Sequence, residues 1–470
     1  MKFHPKDLLQ VKHFEFKGRD LLKGKRITGV STDSRTTNAG EIFVALIGDN
    51  YDGHKFVADA FAKGAIAAVV SASFAHATKW GEKALLLVEN TNHALGELAL
   101  LYRRKFDIPI LAVGGSNGKT TTKEMVAQVL ASQYEVLSTR GNLNNHIGVP
   151  QTIFRLEKKH EIAVVEIGTN HPGELEYLLR ILEPTHGLIT NIGREHLEFF
   201  KSLDGVAEEE GKLFEFLATR KMGTAIINAD DPWLVQMGKK VKRRTTYGLA
   251  AKRVDVRGKH IATDDTGCAS LQFSGGKMKK PERIQLSIPG AHNASNALSA
   301  AAVGLAFKVP SKKIRKALEI FKPSGKRMEV LNLGGVIIFN DTYNANPDST
   351  IAALRTLAST KTTGKKIAVL ADMRELGEAG PTEHGRVGEE ARALNIEYLL
   401  TYGTLAKHIH DAAGISLSVH YDQKNILAEY LTELIAPGDA VLIKGSRGMK
   451  MEDIVTFLEE RLRSAIVPFG

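Results

Sequence analysis

A chain of 470 residues with 43% hydrophobic and 25% charged side chains is too long for one core and too apolar for disorder; at about 150 residues per domain it predicts three domains. Its single cysteine, Cys268, excludes internal disulfides and a cysteine-rich zinc site, residues 1–20 lack the apolar stretch of a signal peptide, and no apolar run reaches the ~18 residues of a membrane span. The net charge of +10 is scattered, and its short clusters at Lys239–Arg244 and Lys277–Lys280 lack the interleaved aromatics of a nucleic-acid platform. The expectation is a cytoplasmic monomer with no nucleic-acid partner, whose positive field favours polyanionic small substrates.

Residues 1–107 read as a small α/β unit. Ile42–Leu46, Ala65–Val70 and Ala84–Val88 are strand-like, and His54–Lys63 and Asn92–Phe106 have helical spacing. Two polar loops lie among them, Ser31-Thr-Asp-Ser-Arg35 and Asp49-Asn-Tyr-Asp-Gly-His54. These residue types serve turns as readily as ligands.

Residues 108–322 predict a doubly wound, mostly parallel sheet. The apolar run Ile108–Val113 ends in a glycine-rich turn, and Thr120–Ser132 follows with helical spacing at Met125, Val126, Val129 and Leu130. Strand, glycine loop and helix together make a phosphate site: backbone N–H groups around Gly114, Gly115 and Gly118 converge on an anion, Lys119 reaches the β- and γ-phosphates, and the Thr120 hydroxyl serves Mg²⁺. The strict pattern G-x-x-x-x-G-K-[ST] fails, because Val113 stands where its first glycine belongs. Further apolar runs, Ile162–Ile167, Gly187–Thr190 and Thr224–Asn228, predict strands whose carboxyl ends carry Glu166, Gly168-Thr-Asn170 and Ile192-Gly-Arg-Glu-His-Leu-Glu198. A carboxylate and an imidazole so placed suit Mg²⁺ and its phosphate-bound waters, although an isolated histidine also serves as a structural hydrogen-bond partner. The loop Asn142-Leu-Asn-Asn145 before Gly148-Val-Pro150 is either a substrate contact or a capped turn.

Residues 323–470 predict a second, Rossmann-like α/β domain with strands at Val336–Asn340, Lys366–Ala371, Tyr398–Tyr402 and Ala440–Lys444. Polar groups follow these strands at Asp341-Thr-Tyr-Asn-Ala-Asn-Pro-Asp348, Asp372-Met-Arg-Glu-Leu-Gly377 and Lys444-Gly-Ser-Arg447, so they face one crevice. No Walker-type loop occurs here, which makes this a domain that closes over a nucleotide bound elsewhere. The breakers Phe106-Asp-Ile-Pro109 and Lys322-Pro-Ser-Gly325 set the boundaries.

The whole chain resembles the Mur ligases. The loop Gly114-Gly-Ser-Asn-Gly118-Lys-Thr-Thr-Thr-Lys-Glu124 is that family's own P-loop variant. Asn142-x-Asn-Asn145-x-x-Gly148-x-Pro150, Glu166-Ile-Gly-Thr-Asn-His-Pro-Gly173, Thr190-Asn-Ile-Gly-x-x-His196-Leu-Glu198, His292-Asn-Ala-Ser-Asn-Ala-Leu298 and Arg327-Met-Glu-Val330 match in the same order. Asp341-x-Tyr-Asn-Ala-Asn-Pro347, Lys444-Gly-Ser-Arg447 and Ser31-Thr-Asp-Ser-Arg35 resemble the branch that adds D-alanyl-D-alanine. The resemblance implies an amide ligase using ATP and Mg²⁺ to join D-alanyl-D-alanine to UDP-N-acetylmuramoyl-tripeptide through an acyl phosphate. Its domains would be 1–107 for the UDP-sugar peptide, 108–322 for ATP, and 323–470 closing on ATP and the dipeptide. The alternatives are another amide ligase of the same scaffold, folylpolyglutamate synthase-like, against which the amino-terminal motif argues, or another Mur ligase step.

Transferred onto this chain, the resemblance implies that Ser31, Ser34, Arg35, Asp52, Gly53 and His54 line the UDP-sugar site, and that Asn142, Asn145, Thr169 and Asn170 hold the rest of that substrate. Gly115, Ser116, Asn117, Gly118, Lys119, Thr120 and Thr121 would surround the phosphates. Asn293 and Asn296 would touch adenine, Arg327 the γ-phosphate, and Asp341, Tyr343 and Asn344 the ribose and base. Asp372, His384 and Ser446 are candidates for the dipeptide site. Lys119, Glu166, His196 and Glu210 would be catalytic, with Thr120, Glu166, His196 and Glu210 on the metal. One departure stands out: the family's carbamoylated lysine falls on Glu210 in Ala207-Glu-Glu-Glu-Gly-Lys-Leu-Phe214, with Lys212 on another helical face. Glu210 already carries a carboxylate on a shorter stem. The competing reading makes Glu208 to Glu210 solvated acids on an exposed helix.

Overall fold

The computed structural model describes residues 2–77 and 81–464. The chain divides into two compact units, one formed by Met1–Ala112, Glu135–Thr169 and Glu174–Thr185, the other by Val113–Tyr134, Asn170–Gly173 and His186–Gly470.

In the first unit the amino-terminal elements are β1 (Glu15–Lys17), β2 (Gly29–Ser31), β3 (Glu41–Val44), the ribbon β4 (Ile47–Gly48) and β5 (Tyr51–Asp52), α1 (Val57–Ala62), β6 (Ala67–Ser71), α2 (Ala72–Ala77), β7 (Ala84–Val88) and α3 (Thr91–Arg103). Five strands pair in the order β1-β7-β6-β3-β2, parallel except for β1 against β7. β7 is buried along its whole length, as its unbroken Ala-Leu-Leu-Leu-Val run requires of a strand covered on both faces. Asn90 starts α3 by accepting from His93 N at 3.0 Å. The expected helix at His54 begins instead as a 3₁₀ turn, Gly53–Phe56, and the polar loop before it folds as the β4–β5 ribbon.

The chain continues through β8 (Ile110–Gly114), α4 (Lys119–Ala131), β9 (Val136–Ser138), α5 (Gly148–Ile153), β10 (Ile162–Glu166) and α6 (Glu174–Leu182). β10 lies between β8 and β9 and runs parallel to β9, with Ile162 opposite Val136. Its five residues are buried, which carries Glu166 into the interior at the strand's carboxyl end.

In the second unit, β11 (His186–Ile189), α7 (Leu197–Phe200), α8 (Leu203–Ala218), β12 (Thr224–Asn228), α9 (Pro232–Gly238) and β13 (Arg243–Gly248) supply three neighbouring parallel strands. An antiparallel meander, β14 (Val256–Thr263), β15 (Cys268–Gly275) and β16 (Glu282–Pro289), extends them. The sheet is thus mostly parallel, as expected, with its antiparallel part confined to this meander. The signal was present in β16, where Ile284, Leu286 and Ile288 are buried and Arg283, Gln285 and Ser287 face out with period two. Cys268 opens β15 and is buried. The alanine-rich α10 (Asn293–Ala306) packs on α4, with α11 (Ser311–Glu319) beside both.

The rest of this unit comprises β17 (Glu329–Leu333), β18 (Val336–Asp341), α12 (Pro347–Ser359), β19 (Lys366–Ala371), α13 (Gly380–Ala393), β20 (Tyr398–Tyr402), α14 (Lys407–Ala413), β21 (Leu417–Tyr421), α15 (Lys424–Leu434), β22 (Ala440–Lys444) and α16 (Glu452–Ser464). The strand order is β17-β18-β22-β19-β20-β21, parallel apart from β17. The four strands expected from sequence are there. The two edges, β17 and β21, were not expected, because Glu329 and Asn332 in one and Ser418 and His420 in the other interrupt any apolar run, and Val330 and Leu417 stay exposed. Compactness does not break at Lys322-Pro-Ser-Gly325: Ser324 N donates to Glu124 on α4 at 3.1 Å. Leu197, Phe200 and Val206 of the α7–α8 stretch share one buried cluster with Phe339, Leu354, Leu370 and Met373.

Candidate active site

The turn after β8 needs glycine twice. Gly115 (φ 109°) and Gly118 (φ 77°) are left-handed, and a Cβ on Gly115 would stand 2.4 Å from Thr190 Oγ1, one on Gly118 2.7 Å from Asn296 Oδ1. The loop between them is clamped by residues 190–193. Ser116 N donates to Asn191 O at 2.9 Å, Asn117 N to Asn191 Oδ1 at 3.1 Å, and Gly193 N to Ser116 Oγ at 2.8 Å. Gly115 N donates to Glu210 Oε2 at 2.7 Å. The amides of residues 115–117 therefore serve protein acceptors, which corrects the expectation for Gly115 that its N–H turns toward an anion. The positive end left for a phosphate is the α4 amino terminus, which Lys119 begins.

A network of charges surrounds that terminus. Lys119 Nζ sits 3.0 Å from Glu195 Oε2, both side chains being mostly buried. Glu195 Oε2 is 3.9 Å from His196 Nε2, and His196 Nδ1 is 2.6 Å from Glu375 Oε2. Glu210 is 1% exposed, which rules out the solvated-helix reading, and its Oε1 is buried without a hydrogen-bond partner. Burial pushes its carboxyl up to about 8; the Lys119 charge opposes that rise and Glu195 adds to it. Lys212 instead lies in an outward i,i+3 pair with Glu215 at 3.6 Å.

In the first unit, Glu166 Oε1 accepts from Asn144 Nδ2 at 3.0 Å and Glu166 N donates to Thr139 Oγ1 at 3.0 Å. Asn145 Oδ1 accepts from Gly148 N, the first residue of α5, at 2.9 Å, while Asn142 O accepts from Asn144 N at 2.8 Å. Asn144, passed over within the sequence motif, is thus the residue that orients Glu166. Thr169 Oγ1 reaches Glu174 at 3.5 Å, and Asn170 belongs to the other unit. Among the amino-terminal candidates, Ser31 Oγ accepts from Thr37 Oγ1 at 3.0 Å, Ser34 is buried, and Arg35 forms an exposed pair with Asp33 at 2.7 Å. His54 uses both ring nitrogens internally, on Asp52 Oδ1 at 2.6 Å and Ser71 N at 2.9 Å. Gly53 admits no side chain, since its Cβ would be 2.7 Å from the Leu46 backbone.

The remaining candidates are in the second unit. Asn296 Nδ2 donates to Asn293 Oδ1 at 2.9 Å beneath Gly118. The Arg327 guanidinium stacks 3.7 Å from the Tyr343 ring centre. Asp341 pairs with the buried Lys444 at 2.6 Å, and Lys444 also donates to Asn344 O at 2.8 Å. Asp372 accepts from Leu405 N and Ala406 N at 2.9 and 2.7 Å; His384, fully buried, is held by Met373 N at 2.9 Å and Gly380 O at 2.6 Å; Ser446 Oγ accepts from Arg374 N at 2.8 Å. These last three hold the loops after β19 and β22 in shape. Asn117 Oδ1 accepts from Asn346 Nδ2 at 2.9 Å, and Arg194 meets Asp348 at 3.4 Å and Glu383 at 3.1 Å, so the loop after β11 is tied to α12 and α13. Neither Asn191 nor Glu195 was singled out from sequence, although both stand inside the motif that supplied His196.

Strand, glycine loop, helix and buried lysine–carboxylate network define a P-loop-like α/β protein. Family models agree and divide it: "Mur ligase family, catalytic domain" matches residues 26–103, "Mur ligase middle domain" 113–304, and "Mur ligase, glutamate ligase domain" 326–447. The UDP-N-acetylmuramoyl-tripeptide–D-alanyl-D-alanine ligase of Bacillus subtilis is 36% identical, covering 92% of this chain and 93% of its own. A MurF crystal structure from Acinetobacter baumannii aligns with a TM-score of 0.88 at 30% identity, over 97% of this chain and 99% of that one. MurF from Thermotoga maritima, solved in complex with ADP, aligns at 0.82 with 26% identity, over 93% and 99%. The chain belongs to the Mur ligase family.

Proposed function

We propose that this chain is the ATP-dependent ligase that joins D-alanyl-D-alanine to UDP-N-acetylmuramoyl-tripeptide in peptidoglycan precursor synthesis. The relatives' activity supplies the substrates, and one structural observation carries the chemistry: a lysine at the helix start of a glycine loop, buried against Glu195, with the carboxylate of Glu210 behind the loop. A carboxylate is a poor acyl donor, so the γ-phosphoryl group passes to the tripeptide's terminal carboxylate, releasing ADP. The dipeptide amine then attacks the acyl phosphate carbonyl, the C–O bond to phosphate breaks, and the amine loses a proton. The protein's share is position and charge. Lys119 would exchange its contact with Glu195 for the β- and γ-phosphates, and the stacked Arg327 would meet the γ-phosphate. Asn293, Asn296, Asp341, Tyr343 and Asn344 would hold the nucleoside.

Mg²⁺ fits this site. Glu210 Oε1 is a buried carboxylate oxygen without a partner, and Thr120 lies on the first turn of α4. No cluster of three metal-ligating side chains is preassembled among the described residues, which suits an ion that takes few protein ligands and completes its shell with phosphate oxygens and water. Thr120, His196 and Glu210 would hold it, and when bound it would neutralise phosphate charge. Residues 1–107 would bind the UDP end through Ser31, Ser34, Arg35 and Asp52, residues 108–322 ATP, and residues 323–470 the dipeptide; three separate family matches support this division. ATP and a UDP-linked substrate would place the reaction in the cytoplasm.

Phosphate release should require ATP, the UDP-tripeptide and D-alanyl-D-alanine together, and running it with lysine- and diaminopimelate-containing tripeptides identifies the third residue. Lys119→Ala should abolish release with an unchanged melting temperature. ATP hydrolysis indifferent to both substrates, or wild-type turnover by the mutant, would overturn the reading.

A further inference from the structure

Two loops of the second unit interlock beside the phosphate site. His196 ends the turn after β11, and Glu375 lies in the turn between β19 and α13. Both are non-glycine residues in the left-handed region, at φ 48° and 64°. Such conformations persist where the surroundings over-determine them, and they gather at functional sites. The surroundings here are explicit. Glu198 N donates to Glu375 O at 3.1 Å, a Cβ on Gly377 would come within 3.0 Å of Glu198 Cα, and Leu376 shares a buried cluster with Leu197 and Phe200.

The strained pair brings the Glu375 carboxylate 2.6 Å from His196 Nδ1, without the alignment of a full ring N–H bond. At that separation two bare lone pairs would repel, so Nδ1 is the ring nitrogen that carries the proton. The other nitrogen, Nε2, is then the one directed toward Glu195, which holds Lys119. The Glu375 side chain is 46% exposed. Burial does not explain its placement; the contact does.

We infer that Glu375 is a positioning residue: supplied by the loop after β19, it fixes the tautomer and tilt of His196 so that Nε2 faces the phosphate site. Seating of that loop is thereby made a condition for His196 to act. Oriented imidazoles of this kind lean on an outer carboxylate, and losing such a partner commonly costs about 10–100-fold in affinity or activity. Glu375 differs from an ordinary outer partner in coming from a separate sheet, so it reports whether the two sheets are engaged. The inference rests on the proposed role of His196 in the ligase reaction.

The test is a double-mutant cycle read by calorimetric binding of a non-hydrolysable ATP analogue over a Mg²⁺ series, which needs neither acceptor nor dipeptide. Glu375→Ala should raise the Mg²⁺ concentration for half-maximal analogue binding about tenfold, and kcat should fall with the KM for ATP nearly unchanged. Glu375→Gln, which keeps an acceptor but not the charge, should recover most of both. In a His196→Ala background, Glu375→Ala should add no further loss. Glu378→Ala, an exposed neighbour, should match wild type, and all melting temperatures should agree. Additive losses from Glu375→Ala and His196→Ala, or wild-type binding by Glu375→Ala, would overturn the inference. If the proposed ligase activity is wrong, wild type fails to release phosphate while the binding cycle still reads the coupling.

Discussion

Glu210 is the residue at which this chain departs from the pattern that its family resemblance implies. On the reading proposed above, its carboxylate, buried directly behind Gly115, takes the place of the carbamoylated lysine that the resemblance implies. Ligation should therefore be indifferent to added bicarbonate. Glu210→Gln should retain the acceptor for Gly115 N, and so the fold, while demanding about tenfold more Mg²⁺; Glu208→Ala, on the exposed face, should titrate like wild type. A Mg²⁺ titration of phosphate release for the three proteins decides it, and superimposable curves would remove Glu210 from the metal site. Gly115 makes a harsher demand. Gly115→Ala places a Cβ 2.4 Å from Thr190 Oγ1 at a φ of 109° and should cost about 1–3 kcal/mol of stability and most nucleotide binding. Chemical denaturation and calorimetry measure the two effects.

At the scale of the element, β11 carries a pH sensitivity unconnected with catalysis. His186, its first residue, stacks 4.7 Å from Phe307, and burial lowers its imidazole from the ordinary 6.5 to about 4, with Arg243 adding to the shift. Folded, it stays neutral where the unfolded chain would protonate it. The stability it contributes is complete above pH 6.5 and lost as pH falls from there toward 4. Discounted for partial exposure, the loss should be on the order of 2 kcal/mol, and His186→Phe should flatten that limb of a urea-denaturation profile. Sequence alone shows the strands whose runs are buried on both faces, such as β7 and β19, because unbroken hydrophobicity is their signature. It concealed β17 and β21, whose outer edges are wet. Motif and spacing singled out Lys119 and His196 as candidates, and Glu210 was reached only through the family resemblance. The hydrogen-bond direction of the loop amides, the loop-holding bonds of Asp372 and His384, and the approach of Glu375 depend on which loops meet, and no local pattern records that.

For the whole molecule, two compact units imply that unfolding is not a single all-or-none event. The phosphate loop and the loops bearing Arg327 and Asp341 belong to the same unit, so a bound nucleotide should stabilise that unit as a whole. A non-hydrolysable ATP analogue at about one hundred times its Kd should add roughly 2.7 kcal/mol there. Hydrogen exchange should slow together over 113–134, 186–198 and the strands around 336–341 and 440–444. Slowing confined to 113–134 would show that the two sheets of the unit respond separately. Cys268 offers an independent clock for the same event. Buried at the start of β15, its thiol is raised above the ordinary range by burial and accepts a contact from Thr266 at 3.3 Å. A thiol reagent thus meets a folded molecule with no reactive handle, and each alkylated molecule records one opening of the β14–β16 meander. Comparing that rate with and without nucleotide turns the lone cysteine into a counter of how often the ligase lets its outer strands go.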